Sequence, residues 1–304
     1  GEDDVSPASS RAQVPGPAFS AAPLVVYASP ATADALAPAL AAYAAEAGIP
    51  VSPHFVDGLP ALLRAGRDDP RADLVVLVGA RAAAEAAAEG VLRPVAGDLA
   101  LEVLPPPLRD PDGMWLALAF RPALIARDVR ESALPVAEDY AALAEPAFAG
   151  KLCLGAFGSG ANAAIVADLI DTLGTRPAER VVRGWLANAA LPVFATEADL
   201  RSAIGAGRCA AGVVLAPVVP PPETSVIRYN AARAPSGELW AAGVSRHAGR
   251  PDDARALLAW LVSEAQLPAA GRRVVAADLP ARHPALTGAL VEEAARLAER
   301  AGYR

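Results

Sequence analysis

The chain has 304 residues, 54% of them hydrophobic and 20% charged, with 27 Lys and Arg against 34 Asp and Glu and a formal net charge of −7. A length near two domains of about 150 residues, with that apolar fraction, excludes a chain disordered throughout. The acidic balance argues against a nucleic-acid partner, which calls for a basic stripe, and no run of about 18 strongly apolar residues offers a membrane span.

Residues 1–23 read as a flexible tail, because GEDDVSPASSRAQVPGPAFSAAP mixes Gly, Pro, Ser and acidic residues without an apolar period. Such a segment fits a mature exported protein or a trimmed chain. It also fits the stretch behind the lipidated cysteine of a bacterial lipoprotein, which would anchor the chain through a residue preceding Gly1.

From Leu24 the pattern alternates strand and helix. LVVY (24–27) is a buried strand, Thr32–Ala47 a helix stopped by Gly48, VSPHFV (51–56) a second strand and GLPALLRAG (58–66) a short helix. ADLVVLVG (72–79) and ARAAAEAAAEG (80–90) repeat the strand–helix order, which predicts a parallel, doubly wound sheet. Alanine, 76 residues in all, favours the helices more than it builds the cores.

The middle changes character. LPPPLRDPDGMW (104–115) is a proline-rich surface passage, 115–127 a long extended run, and 134–156 reads helix, turn, strand. Helices are predicted over 162–173, 177–190 and 197–207, with strands at VFAT (193–196) and RCAAGVVLA (208–216). VIRYN (226–230) and LWAAGVS (239–245) are further strands, and 252–263 and 286–302 are closing amphipathic helices.

The chemistry-bearing motifs are few. His54, His247 and His283 are scattered and pair with no Cys or acid at metal-ligand spacing. No GxSxG elbow, HExxH pair or Walker loop occurs, so neither an enzyme nor a cofactor is expected. Two cysteines, Cys153 and Cys209, form one bridge or remain two buried thiols.

Five phrases in order resemble the solute-binding proteins of bacterial ABC importers, in their ferric-iron-binding, transferrin-like branch. They are LVVYASPATADALAPALAAYAAEAGIPV (24–51), DGLPALLRAGRDDPRADLVVLVGARAAAEAAAEGVLRPV (57–95), LRDPDGMWLALAFRPALIAR (108–127), PAFAGKLCLGAFGSGANAAIV (146–166) and SRHAGRPDDARALLAWLVSEAQ (245–266). The resemblance implies an α/β, two-lobed periplasmic-binding-protein fold with crossover hinge strands and the ligand cleft between the lobes. Lobe one would hold 24–120 and 232–304, and lobe two 121–231. It also implies a monomer in the periplasm, a small-molecule ligand and an inner-membrane transporter as partner. In this family Cys153 and Cys209 would fall near the starts of neighbouring strands, where a bridge suits an oxidising compartment.

The sequence departs from the ferric pattern where the ligand tyrosines stand in that branch. VVLAPVVPPPE (213–223) holds Pro217, Val218 and Val219 there. The other two ligand places hold Ala28-Ser29-Pro30 and Val78-Gly79-Ala80. Hard Fe(III) calls for phenolate and carboxylate oxygen, so ferric binding is not the first expectation.

The places that the resemblance leaves for a ligand are polar at two points and apolar around them. Phe157-Gly158-Ser159-Gly160-Ala161-Asn162 leads into a helix whose free N–H groups attract negative charge, although Gly-Ser-Gly also makes an ordinary turn capped by Ser159 or Asn162. Arg121 aligns with a cleft-facing arginine of the crossover strand, or lies exposed at a strand end. Ser29 and Thr32 offer hydroxyls to a ligand or cap the first helix. Pro30, Val78, Phe120, Phe157, Val218 and Val219 complete an apolar lining. The expected ligand has an apolar body and a polar or anionic head meeting Gly158–Asn162 or Arg121. The expected function is capture for transport. The alternatives are carriage of a lipid-like molecule without an importer, and a receptor that senses without a ligand.

Overall fold

The structure, a computed structural model, describes residues 22–66, 70–95, 104–217, 221–263 and 279–304. The tail reading falls on residues outside the described ones, apart from Ala22 and Pro23. Strand β1 (Leu24–Ala28) pairs in parallel with β2 (Val51–Phe55) and β3 (Leu74–Val78). Helices α1 (Ala33–Ala47), α2 (Leu59–Ala65) and α3 (Ala80–Ala88) follow these strands in turn. Gly48 ends α1 with φ +68°, a left-handed cap that glycine adopts without a Cβ penalty. A short 3-10 turn, Pro30–Thr32, precedes α1.

Strand β5 (Leu116–Asp128) decides the architecture. Its first half, Leu116 to Pro122, pairs antiparallel with β9 (Gly237–Ser245), which in turn lies against β3. Its second half, Ala123 to Asp128, pairs antiparallel with β7 (Ala211–Leu215) and β8 (Ile227–Ala231). One strand therefore serves two sheets, and the chain returns from β8 to β9 through 232–236. The order is β2-β1-β3-β9-β5-β7-β6, with β4 (Leu92–Arg93) on β9 and β6 (Leu152–Cys153) parallel to β7. The parallel sheet expected from the sequence is thus confined to β1–β3 and to the β6–β7 pair. The strands joining the sheets run antiparallel because the chain crosses and comes back.

Each sheet is covered on both faces. Leu24 and Val26 pack with Leu36 and Leu40 of α1 and with Leu257 and Leu261 of α7 (Pro251–Ser263), whereas Val25 and Tyr27 pack with Leu59, Leu63 and Ala83 of α2 and α3. That alternation is the period-two signature of a strand buried on both sides. On the second sheet, Ala123 and Ile125 meet α4 (Asn162–Leu173) and α5 (Thr175–Asn188), and Ala126 meets Leu200 and Ile204 of α6 (Glu197–Gly205). This is an α/β, two-lobed architecture with strands crossing between the lobes.

Helix α8 (Pro284–Ala301) packs against elements around both sheets. Its Val291, Ala294 and Leu297 join the core of the second sheet, while Gly288 presses against Ala80 and Ala84 of α3. Over 134–156 the expected helix is two 3-10 turns, Ala141–Ala144 and Pro146–Phe148, because proline disfavours a helical residue before it and Glu145 is extended at ψ 152°. VFAT is not a named strand; Phe194 makes one isolated bridge to Gly155. Cys153 and Cys209 are joined in a disulfide that ties β6 to the residues entering β7.

Candidate functional site

The C-terminal ends of β1 and β3 lie side by side. Ser29 follows β1 and donates its amide to Val76 O at 3.1 Å, and Val78 closes β3 opposite Trp240 of β9. The next residues in register, Phe120 and Arg121 of β5, sit opposite Leu239 and Glu238. Strand ends of parallel units at a topological switch are where open α/β sheets place ligands. Ser29, Val78 and Arg121 therefore stand at the same end of the first sheet.

The side chains differ in what they leave available. Thr32 is fully buried and its hydroxyl donates to Ser29 O at 2.8 Å, so it closes the turn and caps no helix. Ser29 is half-buried, and Pro30 is exposed at the head of the 3-10 turn. Val78 is half-buried and packs on the first core. Phe120 is 2% exposed and its ring lies over Gly237, where a Cβ would come 2.6 Å from Cζ. Phe120 is therefore a core residue at the crossing. Val218 and Val219 lie outside the described residues.

The loop from Phe157 to Asn162, which the sequence singled out, leads into α4. Phe157 is half-buried, meets Tyr303 edge-on at 5.7 Å, and donates its amide to Arg304 O at 3.1 Å. Asn162 spends its side-chain amide on Ala156 O at 2.9 Å, and Ser159 O accepts the Asn162 amide at 3.3 Å. Gly160 takes φ +56°, which few other residues adopt. Among the described residues, the amides of Gly158, Gly160 and Ala161 make no hydrogen bond.

Arg121 connects the two halves. Its Nη2 donates to Ala216 O at 3.1 Å, just beyond β7, and its Nη1 stands 4.0 Å from Glu238 Oε1. Glu238 also accepts from the Trp240 indole at 3.0 Å. From α6, Glu197 Oε1 accepts the Leu215 amide at 2.9 Å, and Arg201 Nη2 donates to Leu215 O at 2.8 Å. Burial holds the Glu197 carboxyl above its usual range and Glu238 adds to that, while the Leu215 amide, Arg201 and Arg121 oppose it. The Nε groups of Arg121 and Arg201 are buried without a hydrogen-bond partner among the described residues. Two guanidiniums and two carboxylates thus converge where β7 ends.

Of these four residues the sequence singled out only Arg121. Glu197 and Arg201 sit one helical turn apart on α6, a spacing that also describes a solvent-facing ion pair. Only the packing of α6 on β7 turns them inward. No three His, Cys, Asp or Glu side chains among the described residues converge to hold a metal ion. A separate cavity of about 140 Å³ lies behind the crossing, between Tyr140, Asp168, Thr172, Ser236 and Arg282.

No protein-family model and no curated protein matches this chain. Solved structures do. The Bordetella ferric binding protein superposes with a TM-score of 0.80 at 25% identity, over 93% of this chain and 99% of that one. Iron-bound HitA from Pseudomonas aeruginosa gives 0.77 at 18% identity, over 92% and 99%. The periplasmic binding protein AfuA from Actinobacillus pleuropneumoniae, with exogenous fructose-6-phosphate bound, gives 0.68 at 14% identity, over 91% and 97%. The chain has the two-lobed fold of these solute-binding proteins, and its structural neighbours agree with the transferrin-like branch that the sequence resembles.

Proposed function

We propose that this protein captures a small solute in the periplasm, between its two lobes, and delivers it to an inner-membrane importer. The ligand has an apolar body and a polar or anionic head. The observation that carries this reading is the position of Arg121. It stands on the strand shared by both sheets, bonded to Ala216 just beyond β7 of the second sheet and facing Glu238 of the first. A head group held there is held by both lobes, which is what a hinge needs if a ligand is to favour closure. Solved neighbours named as ferric-binding and as fructose-6-phosphate-bound support a binding role in place of catalysis.

The apolar body follows from the residues standing where ferric relatives carry tyrosines. Pro217, Val218 and Val219 bring no oxygen donor, and burying an apolar surface gains about 25 cal/mol per Å². The same substitution favours a second reading, a periplasmic carrier of a lipid-like molecule that works without an importer.

Native mass spectrometry of the purified protein, with lipid and metal extraction, tests both. A bound amphiphile or organic anion is the expected result. One equivalent of iron overturns the apolar-body reading. A thermal-shift screen should respond to amphiphiles and not to ferric salts.

A further inference from the structure

We propose that Glu197 is the specificity-determining residue of this cleft, a built-in carboxylate that takes the anion-favouring side of the Gly158–Asn162 loop and bars bare oxyanions from it. The inference rests on the placement of the cleft given above and narrows the head group that it accepts.

Three observations meet at Glu197. A Cβ built on Gly160 would come 2.6 Å from Glu197 Oε1 and 3.4 Å from Cδ, so the carboxylate lies directly against the Gly160 backbone. The same oxygen is fixed by the Leu215 amide at 2.9 Å, and Oε2 stands 3.8 Å from Arg201. The loop that it covers is rich in positive dipole, with the amides of Gly158, Gly160 and Ala161 unbonded among the described residues and the twelve-residue helix α4 starting at Asn162. Such an end stabilises negative charge, and the Glu197 carboxylate lies beside it, taking its backbone hydrogen bond from Leu215.

A side chain at position 160 would displace the carboxylate and would also strain the backbone at φ +56°, so the glycine suits both the turn and the close approach of Glu197. The charged groups that face it are Arg201 on its own helix, Arg121 on β5 and Glu238 on β9. Two positive and two negative charges leave the site balanced. A bare dianion entering it meets two carboxylates at once and has to displace one of them. A head group that carries a hydrogen-bond donor or a positive charge beside its acceptor, such as a zwitterion, meets Glu197 and Arg121 together.

Sulfate is the probe, because it stays dianionic across the working pH range. Isothermal titration at pH 7.5 should show weak or no binding by the unmodified protein. It should show an affinity at least tenfold higher for Glu197→Ala, with a smaller gain for Glu197→Gln, which keeps an acceptor for the Leu215 amide. No gain in either folded variant overturns the proposal. So does tight sulfate binding by the unmodified protein that Glu197→Ala weakens. If neither variant folds, the unmodified protein decides: sulfate affinity should rise as pH falls and Glu197 takes up a proton, and a flat profile overturns the proposal. None of these results depends on which solute is carried, so a failed search for that solute leaves them intact.

Discussion

Arg121 and Glu238 stand opposite each other on β5 and β9, with Nη1 and Oε1 4.0 Å apart, at the last pairs that β5 makes before it leaves the first sheet. Both side chains are largely buried, so neither is a surface ion pair of little consequence. Hydrogen bonds to a charged group are worth about 1.5–3 kcal/mol. Arg121→Ala should therefore weaken binding of an amphiphile with a polar head by about tenfold or more, at about 1.4 kcal/mol per factor of ten. Isothermal titration with a hit from the thermal-shift screen checks it, and unchanged affinity removes Arg121 from the site.

The Cys153–Cys209 bridge closes a segment with a sequence separation of 56. By the loop-entropy relation such a closure stabilises by about 4 kcal/mol. Dithiothreitol, or Cys153→Ala with Cys209→Ala, should lower the unfolding midpoint by several degrees. An unchanged melting curve with confirmed free thiols would rule out that contribution.

Asp168 on α4 receives hydrogen bonds from Ser236, at the return crossing, and from Thr287 on α8. Burial nevertheless holds its carboxyl above the usual range, outweighing the two hydroxyls and Arg282, with Asp171 adding to the upward shift. A raised carboxyl keeps its proton in the folded state over a pH window in which the unfolded chain releases it. The folded state binds more protons there, so stability falls as pH rises through that window. Asp168→Asn removes the effect. The unfolding free energy of the variant minus that of the unmodified protein should grow as pH rises above the unfolded carboxyl range, by about 1.4 kcal/mol per pH unit at most. A difference constant with pH contradicts this account.

Gly288 sits in α8 where that helix crosses α3. A Cβ there would come 2.8 Å from Ala84 Cβ and still closer to Ala80 O. Replacing a helical glycine by alanine gains about 1 kcal/mol in propensity, whereas overpacking a tight contact costs about 1–3 kcal/mol. The clash wins because its nearest partner is backbone that cannot swing away. Gly288→Ala should unfold at a lower temperature, and a stabilised variant would show that the α3–α8 contact yields.

The alternation of strand and helix from Leu24 to Ala88 was legible because each apolar run is short and bounded by Gly or Pro. Helix Asn162–Leu173 appears with the predicted bounds. The crossing was legible only as a long extended run at 115–127, since nothing in one strand's composition says that its halves join different sheets. The return strand β9 reads like any buried strand, and its antiparallel insertion between β3 and β5 is a property of topology. The same limit applies at the site. Glu197 and Arg201 look like a solvated i, i+4 pair, and the Gly160 loop looks like an open anion cradle. Only their packing across about 40 residues of chain shows that one is laid upon the other.

Tyr303 and Arg304 reach back to the start of the Phe157–Asn162 loop. Tyr303 donates its hydroxyl to Gly155 O at 2.6 Å, and the Arg304 carbonyl accepts the Phe157 amide. Tyr303 and Arg304 thus brace the Gly155–Phe157 segment from behind. Tyr303→Phe cuts one strut of that brace while leaving the ring against Phe157, so the anchoring of the loop can be separated from the packing of the core.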